Sequence, residues 1–148
     1  MNGKFIVFEG PDGSGKTTIL KKVNETLVEK GYKTTVLREP GGTDISEKIR
    51  EIIIDNDNVN MSAKTESLLF AASRAQLVYE KINPILKNGG IILCDRFVLS
   101  SLLYQGVGRG LGVKEIKQIN DFATGNLTPD LTIFFNIDYK TALVRKRA

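Results

Sequence analysis

The chain has 148 residues, 41% hydrophobic and 26% charged, the make-up of one globular domain of ordinary size with room for a real core. Its single cysteine, Cys94, excludes an internal disulfide, and the lack of histidine excludes imidazole catalysis and His-ligated metals. The net charge of +4 is a mild cationic surplus, and with no dense Lys/Arg run before residue 145 it does not suggest a nucleic-acid partner.

Taken in chain order, Phe5-Ile6-Val7-Phe8 predicts a buried strand. It runs into Gly10-Pro11-Asp12-Gly13-Ser14-Gly15-Lys16-Thr17-Thr18, which carries the Gly-x-x-x-x-Gly-Lys-Thr spacing of a phosphate-binding loop. Glycines at 10, 13 and 15 allow backbone angles and close approaches that a Cβ would block. The loop amides can then converge on phosphate oxygens at the positive end of the next helix. Lys16 can reach the β- and γ-phosphates, and the Thr17 hydroxyl can ligate Mg²⁺. The alternative is a plain glycine-rich turn. At ordinary residue frequencies, however, the pattern arises by chance in well under about one chain in a hundred of this length.

Ile19, Val23 and Leu27 mark the first helix, closed by Gly31, and Lys33–Arg38 predicts a second strand. The turn cluster Glu39-Pro40-Gly41-Gly42-Thr43 leads to a helix near 44–54 with Ile45, Ile49, Ile52 and Ile53 on one face. After a polar loop, residues 64–88 carry a helical pattern with Leu68, Leu69, Ala72, Leu77 and Ile82 inward, kinked or restarted at Pro84. Gly89-Gly90 breaks the chain, and Ile91–Asp95 is a third apolar strand ending in an acid. The glycine-punctuated segment 105–110 leads to a helix over 113–124, and Leu131–Ile137 predicts a fourth strand. This alternation implies a doubly wound parallel sheet with ligands at the strands' C-terminal ends. Residues 139–148 begin a helix that stops without a cap. At least one more strand and helix are expected of such a fold, so its C-terminal strand is expected to be missing here through truncation or disorder.

Beyond the loop, Asp95 stands where phosphate-loop enzymes put an acid acting on the Mg²⁺ shell, with Arg96 directly after it; a surface Asp-Arg pair is the alternative. Phe70 and Arg74, four apart on a helix, offer either a stacking ring and a carbonyl-binding fork or a core residue and a solvated charge. Ser101 and Gln105 form a similar pair beside Tyr104, while Glu39 and Arg50 read equally well as surface charges. No apolar run reaches the length of a membrane span, and no secretion signal opens the chain, so a cytoplasmic protein without a membrane partner is expected.

The strings Phe8-Glu9-Gly10-Pro11-Asp12-Gly13-Ser14-Gly15-Lys16-Thr17-Thr18, Arg38-Glu39-Pro40-Gly41-Gly42-Thr43, Phe70-Ala71-Ala72-Ser73-Arg74 and Asp95-Arg96-Phe97 closely resemble bacterial thymidylate kinases, as do the segments 100–111 and 129–132. The resemblance implies a three-layer α/β/α P-loop nucleoside monophosphate kinase fold and transfer of the ATP γ-phosphoryl to dTMP with Mg²⁺. It implies that residues 10–18 hold ATP, with Lys16 on its phosphates, and that Thr17 and Asp95 organise the metal. Arg96 would grip the dTMP phosphate, and Asp12 would meet the deoxyribose 3′-hydroxyl or help place the acceptor. Phe70 would stack on thymine, Arg74 would reach a thymine carbonyl, and Ser101 and Gln105 would read the rest of the base edge. Tyr104 would pack on the sugar, Glu39 and Arg50 would line the acceptor pocket, and the protein would be a homodimer.

Some thymidylate kinases carry an arginine in the phosphate loop where Gly13 stands here. The subtype without it resembles enzymes with arginines in a mobile lid, and Arg145 and Arg147 fall where that lid begins. The rival readings are a kinase for another nucleotide, a nucleotide-dependent switch or partitioning ATPase, and a nucleic-acid-binding module. The acceptor residues set the first apart, and the second leaves Glu39-Pro40-Gly41-Gly42 without a purpose.

Overall fold

In this computed structural model the described residues are 3–147, with the side chains of Tyr139, Lys146 and Arg147 outside the description. The elements run β1 Lys4–Glu9, α1 Lys16–Glu29, β2 Thr34–Arg38, α2 Asp44–Ile54 and α3 Ala63–Leu77, then a π-helical turn Val78–Ile82 and α4 Asn83–Lys87. They continue with β3 Ile91–Asp95, α5 Val98–Ser101, a second π-helical turn Leu102–Gly108, α6 Val113–Thr124, β4 Leu131–Phe134 and α7 Tyr139–Arg147. The chain divides into two compact units, one made of Met1–Leu37, Ile85–Arg96 and Pro129–Ala148, the other of Arg38–Pro84 and Phe97–Thr128.

The first unit is built on a four-stranded sheet in the order β2-β3-β1-β4. β1 is central and pairs in parallel with β3, Val7 opposite Cys94, and with β4, Val7 opposite Thr132. A strand flanked on both sides and covered on both faces must be apolar throughout, which is why Phe5, Val7 and Phe8 are all buried. Phe8, Leu20 of α1 and Leu93 of β3 form a core against which Ile6, Val23, Leu27 and Ile133 pack. The predicted closure of α1 by Gly31 takes a definite form. At φ +84°, Gly31 donates its N–H to Val28 O, and the Tyr32 N–H reaches Leu27 O, so two end carbonyls are satisfied.

The second unit is helical, with α3 packed against α2 and α6. Thr43 caps α2 by accepting the Ser46 N–H at 3.1 Å, and Ser62 caps α3 by accepting the Thr65 N–H at 3.1 Å. Here the expected inward faces need correction. Leu68 and Ala72 are exposed, as are Ile45 and Ile52, while Ser46, Ser67, Ala71, Ser73 and Arg74 are buried. The buried stripe is turned because α2 and α3 pack through small side chains joined by hydrogen bonds: Ser46 Oγ donates to Ser73 O at 2.8 Å, and Gly41 N–H donates to Ser73 Oγ at 3.2 Å. Pro84 does restart the helix. The backbone widens first, Asn83 N–H reaching back to Val78 O in π fashion, ahead of a residue with no N–H to give. The glycine-punctuated segment is also helical as far as Gly108, and β4 ends at Phe134, three residues short of expectation.

Candidate functional site

The first unit gathers the phosphate loop, Asp95 and Arg96. Gly10 sits at φ +147°, where a Cβ would lie 2.9 Å from the Phe135 carbonyl oxygen, so the strand can turn tightly into the loop only with glycine there. Gly15, at φ +90°, ends the loop and opens α1, which has no side-chain cap and no acid in its first turn. Its leading N–H groups therefore keep their positive end for an outside anion. Pro11 O accepts both the Ser14 N–H at 3.2 Å and Lys16 Nζ at 3.0 Å, folding the lysine over the loop. The Ser14 hydroxyl is buried without a hydrogen-bond partner among the described residues. Burial, and then the nearby Arg96 cation, holds the Lys16 ammonium below the ordinary lysine range, against the opposing pull of Asp95, Asp12 and Glu9.

Thr17 Oγ1 donates to Asp95 Oδ2 at 2.9 Å, so the hydroxyl and carboxylate expected at a metal do meet. Among the described residues no three His, Cys, Asp or Glu side chains gather as a metal cage. One carboxylate and one hydroxyl suit a small hard cation that keeps waters and shares substrate phosphates, as Mg²⁺ does. Arg96 is in the left-handed region at φ +69°, rare for a residue with a Cβ. Among the contacts that hold it, its N–H donates to Phe8 O at 3.0 Å, its carbonyl accepts the Cys94 thiol at 3.2 Å, and Nη2 meets Asp12 Oδ1 at 2.6 Å. Thr18 follows the loop, exposed on α1.

The second unit gathers Glu39, Arg50, Phe70, Arg74, Ser101, Tyr104 and Gln105. Arg74 is 2% exposed and is the hub. Nε donates to Glu39 Oε2 at 2.7 Å, and Nη2 lies 2.6 Å from the same oxygen and 3.1 Å from Phe97 O, to which it donates. Nη1 donates to Ser101 Oγ at 3.1 Å and to Asn120 Oδ1, and the guanidinium sits 5.3 Å from the centre of the Phe97 ring. These contacts account for all the N–H groups an arginine possesses. Ser101 Oγ thus accepts from Arg74. Gln105 is 4% exposed. Phe70 is half-buried on α3, Tyr104 is half exposed, and Arg50 Nη1 donates to Pro40 O at 3.0 Å. Burial and the neighbouring Arg38 lower the affinity of Arg50 for its proton.

Arg145 is exposed on α7, while the Arg147 side chain lies outside the described residues. Sequence reasoning missed Asn120, buried on α6 in one line with Ile116 and Thr124. Its i, i+4 spacing from the apolar Ile116 was the signal that could have found it.

A parallel sheet whose central strand ends in a phosphate loop, followed by a second apolar strand ending in an acid, defines the P-loop class of α/β proteins. The family model described as thymidylate kinase matches residues 8–148, and the chain belongs to that family. The chain is 55% identical over 142 residues to the thymidylate kinase of Finegoldia magna, covering 96% of this chain and 70% of that protein. It is 57% identical over 146 residues to the thymidylate kinase of Lactobacillus delbrueckii subsp. bulgaricus, covering 98% and 69%. The crystal structure of thymidylate kinase from Ehrlichia chaffeensis superposes with a TM-score of 0.87 at 35% identity, over 99% of this chain and 83% of that one.

Proposed function

We propose that this chain transfers the γ-phosphoryl group of ATP to dTMP, giving ADP and dTDP. In the transfer an oxygen of the dTMP phosphate bonds to the γ-phosphorus in line with the breaking bond to the ADP oxygen. Such chemistry needs placement and dispersed positive charge more than covalent help. The phosphate-loop amides and Lys16 would bind the ATP phosphates, with Lys16 giving up its bond to Pro11 O for them. Thr17 and Asp95 would hold Mg²⁺, whose charge, when bound, offsets that of the phosphate oxygens. Arg96, already aimed by Asp12, would hold the acceptor phosphate, and the exposed Arg145 would begin a lid that brings further cations. The two compact units would work as one kinase domain, in the cytoplasm, as a homodimer. The exposed Ile45, Ile52 and Leu68 of the second unit are the apolar surface a second copy would cover.

The observation that carries the acceptor reading is the Gln105 amide. A nearly buried amide needs hydrogen-bond partners, and the base edge of a ligand can supply them. The imide edge of thymine, an N–H beside a carbonyl, matches an amide on both counts, and the Ser101 proton adds a donor for the carbonyl. Phe70 supplies an aromatic side chain for stacking. Thermal-shift binding with dTMP, dUMP, dCMP and AMP tests the reading. A nucleotide at about 100 times its Kd stabilises the fold by roughly 2.7 kcal/mol. Stabilisation by dTMP well above dCMP and AMP is expected, with dUMP close behind because one methyl group is worth only about 1–3 kcal/mol. Stabilisation by AMP in preference to dTMP would remove the assignments of Phe70, Arg74, Ser101 and Gln105.

A further inference from the structure

We propose that Glu66 and Arg109 form a clasp at the open end of the acceptor slot, holding its two walls together and setting how long dTMP stays bound. This rests on the dTMP reading above and concerns the time of residence, not the choice of base. Arg109 Nε donates to Glu66 Oε2 at 2.9 Å and Nη2 donates to Oε1 at 3.3 Å, the two-pronged geometry of an arginine on a carboxylate.

The two residues occupy matching places on the walls. On α3, Glu66, Phe70 and Arg74 follow at four-residue intervals and so share one stripe. On the segment that runs from α5 through the second π-helical turn, Ser101, Gln105 and Arg109 keep the same spacing. Two bridges cross between the rows in antiparallel sense, Arg74 Nη1 to Ser101 Oγ at 3.1 Å and Arg109 to Glu66. Phe70 and Gln105, the residues assigned to the acceptor base, are the middle members. α3 and the π-helical turn each pack on α6 far more than on each other, so side chains are what join them directly.

The inner bridge is sealed, with Arg74 2% and Ser101 3% exposed, whereas the Arg109 side chain of the outer one is 58% exposed. An exposed ion pair usually gives little, because two long side chains must be frozen to make it. Here both backbones are already anchored. Arg109 N–H donates to Tyr104 O at 2.9 Å, and Glu66 N–H donates to Ser62 O at 2.9 Å in the capped first turn of α3. The Glu66 side chain is also mostly covered, so water screens the pair less. Neither residue touches substrate in this account; both are positioning residues that act through the walls they join.

The test is the rate of release of dTMP and of thymidine, measured by NMR line-shape titration on the wild type, Glu66→Gln and Arg109→Gln. Each single variant is expected to release both ligands about three- to fivefold faster, with association rates and ATP affinity kept within about twofold. The variant carrying both changes should release them no faster than either single one, since the pair can be broken only once. Thymidine has no charge, so added salt should quicken its release from the wild type by loosening the clasp, and leave its release from Glu66→Gln unchanged. Glu66→Arg combined with Arg109→Glu should restore the residence time although its melting temperature falls, because a cation then opposes the dipole at the start of α3. Single variants that release at the wild-type rate, or release rates that follow melting temperature across the set, would overturn the clasp and leave the dTMP reading intact. A wild type that binds neither dTMP nor thymidine would overturn the reading beneath it.

Discussion

Lys16 is where burial and charge oppose each other most directly. Its ammonium is held below the ordinary lysine value by desolvation and by Arg96. In the pH window between the folded and unfolded values the unfolded chain binds more protons, so the stability of the free protein rises with pH there. A phosphate set beside Lys16 favours the charged form and reverses that pull. ATP binding at alkaline pH should therefore be accompanied by proton uptake, and calorimetry in two buffers of different ionisation enthalpy should show it. Equal apparent enthalpies in the two buffers would mean that Lys16 does not meet the phosphates. Gln105 makes a second case at this scale. Gln105→Leu is about the same size but cannot pair with an imide edge, and should weaken dTMP by ~1.5–3 kcal/mol while leaving ATP binding alone.

At the scale of elements, β1 is tied at both ends. Its first residues are held by Asp130, which accepts the Phe5 N–H at 2.8 Å and pairs with Lys4 Nζ at 3.3 Å, while its own N–H donates to Phe5 O at 2.8 Å. The Phe5 N–H, and then Lys4, hold the Asp130 carboxyl below the ordinary aspartate range. That stability is present above the unfolded value and is lost as pH falls through the folded one. Asp130→Asn should therefore flatten the acid limb of a melting-temperature profile, with less effect at neutral pH. The Glu39-Pro40-Gly41-Gly42 turn depends on close approach. At Gly42, φ +96°, a Cβ would sit 2.8 Å from Leu77 Cδ1, so Gly42→Ala combines strain with a clash. A loss of about 1–3 kcal/mol in denaturant unfolding is expected, and an unchanged midpoint would show that the turn yields freely.

For the whole molecule, the balance is a small remainder of large terms, on the order of 5–15 kcal/mol. Phe8 is 0% exposed at the centre of the first unit's core, and Phe8→Ala should cost about 3–5 kcal/mol, enough to leave much of the chain unfolded near physiological temperature. The apolar residues outside any core matter at this scale too. Ile45 and Ile52 are about half exposed on α2, and Leu68 is 55% exposed on α3. The double change Ile45→Lys with Ile52→Lys should shift the sedimentation of the protein from dimer to monomer; a wild type that sediments as a monomer would remove the homodimer proposal.

Much of this protein was legible along the chain, for a physical reason. Strand-loop-helix chemistry is local. A buried strand is a continuous apolar run, a phosphate loop is a fixed spacing of glycines before a lysine, and helix stops are glycines, so β1, the loop at 10–18 and the Gly31 closure could all be read off neighbours in sequence. What the chain order could not decide were contacts between residues far apart in it. Periodicity placed Leu68 and Ala72 inward, but the serine-lined packing of α2 on α3 turned that face outward. Taken alone, Arg74 read more readily as a solvated charge than as a base-reading fork, and only its meeting with Glu39, Phe97, Ser101 and Asn120 made it a buried hub. Composition, motifs and element types follow from local residue chemistry. Which polar groups are buried, and which of them keep a donor or acceptor for a ligand, is decided only when distant segments close around them.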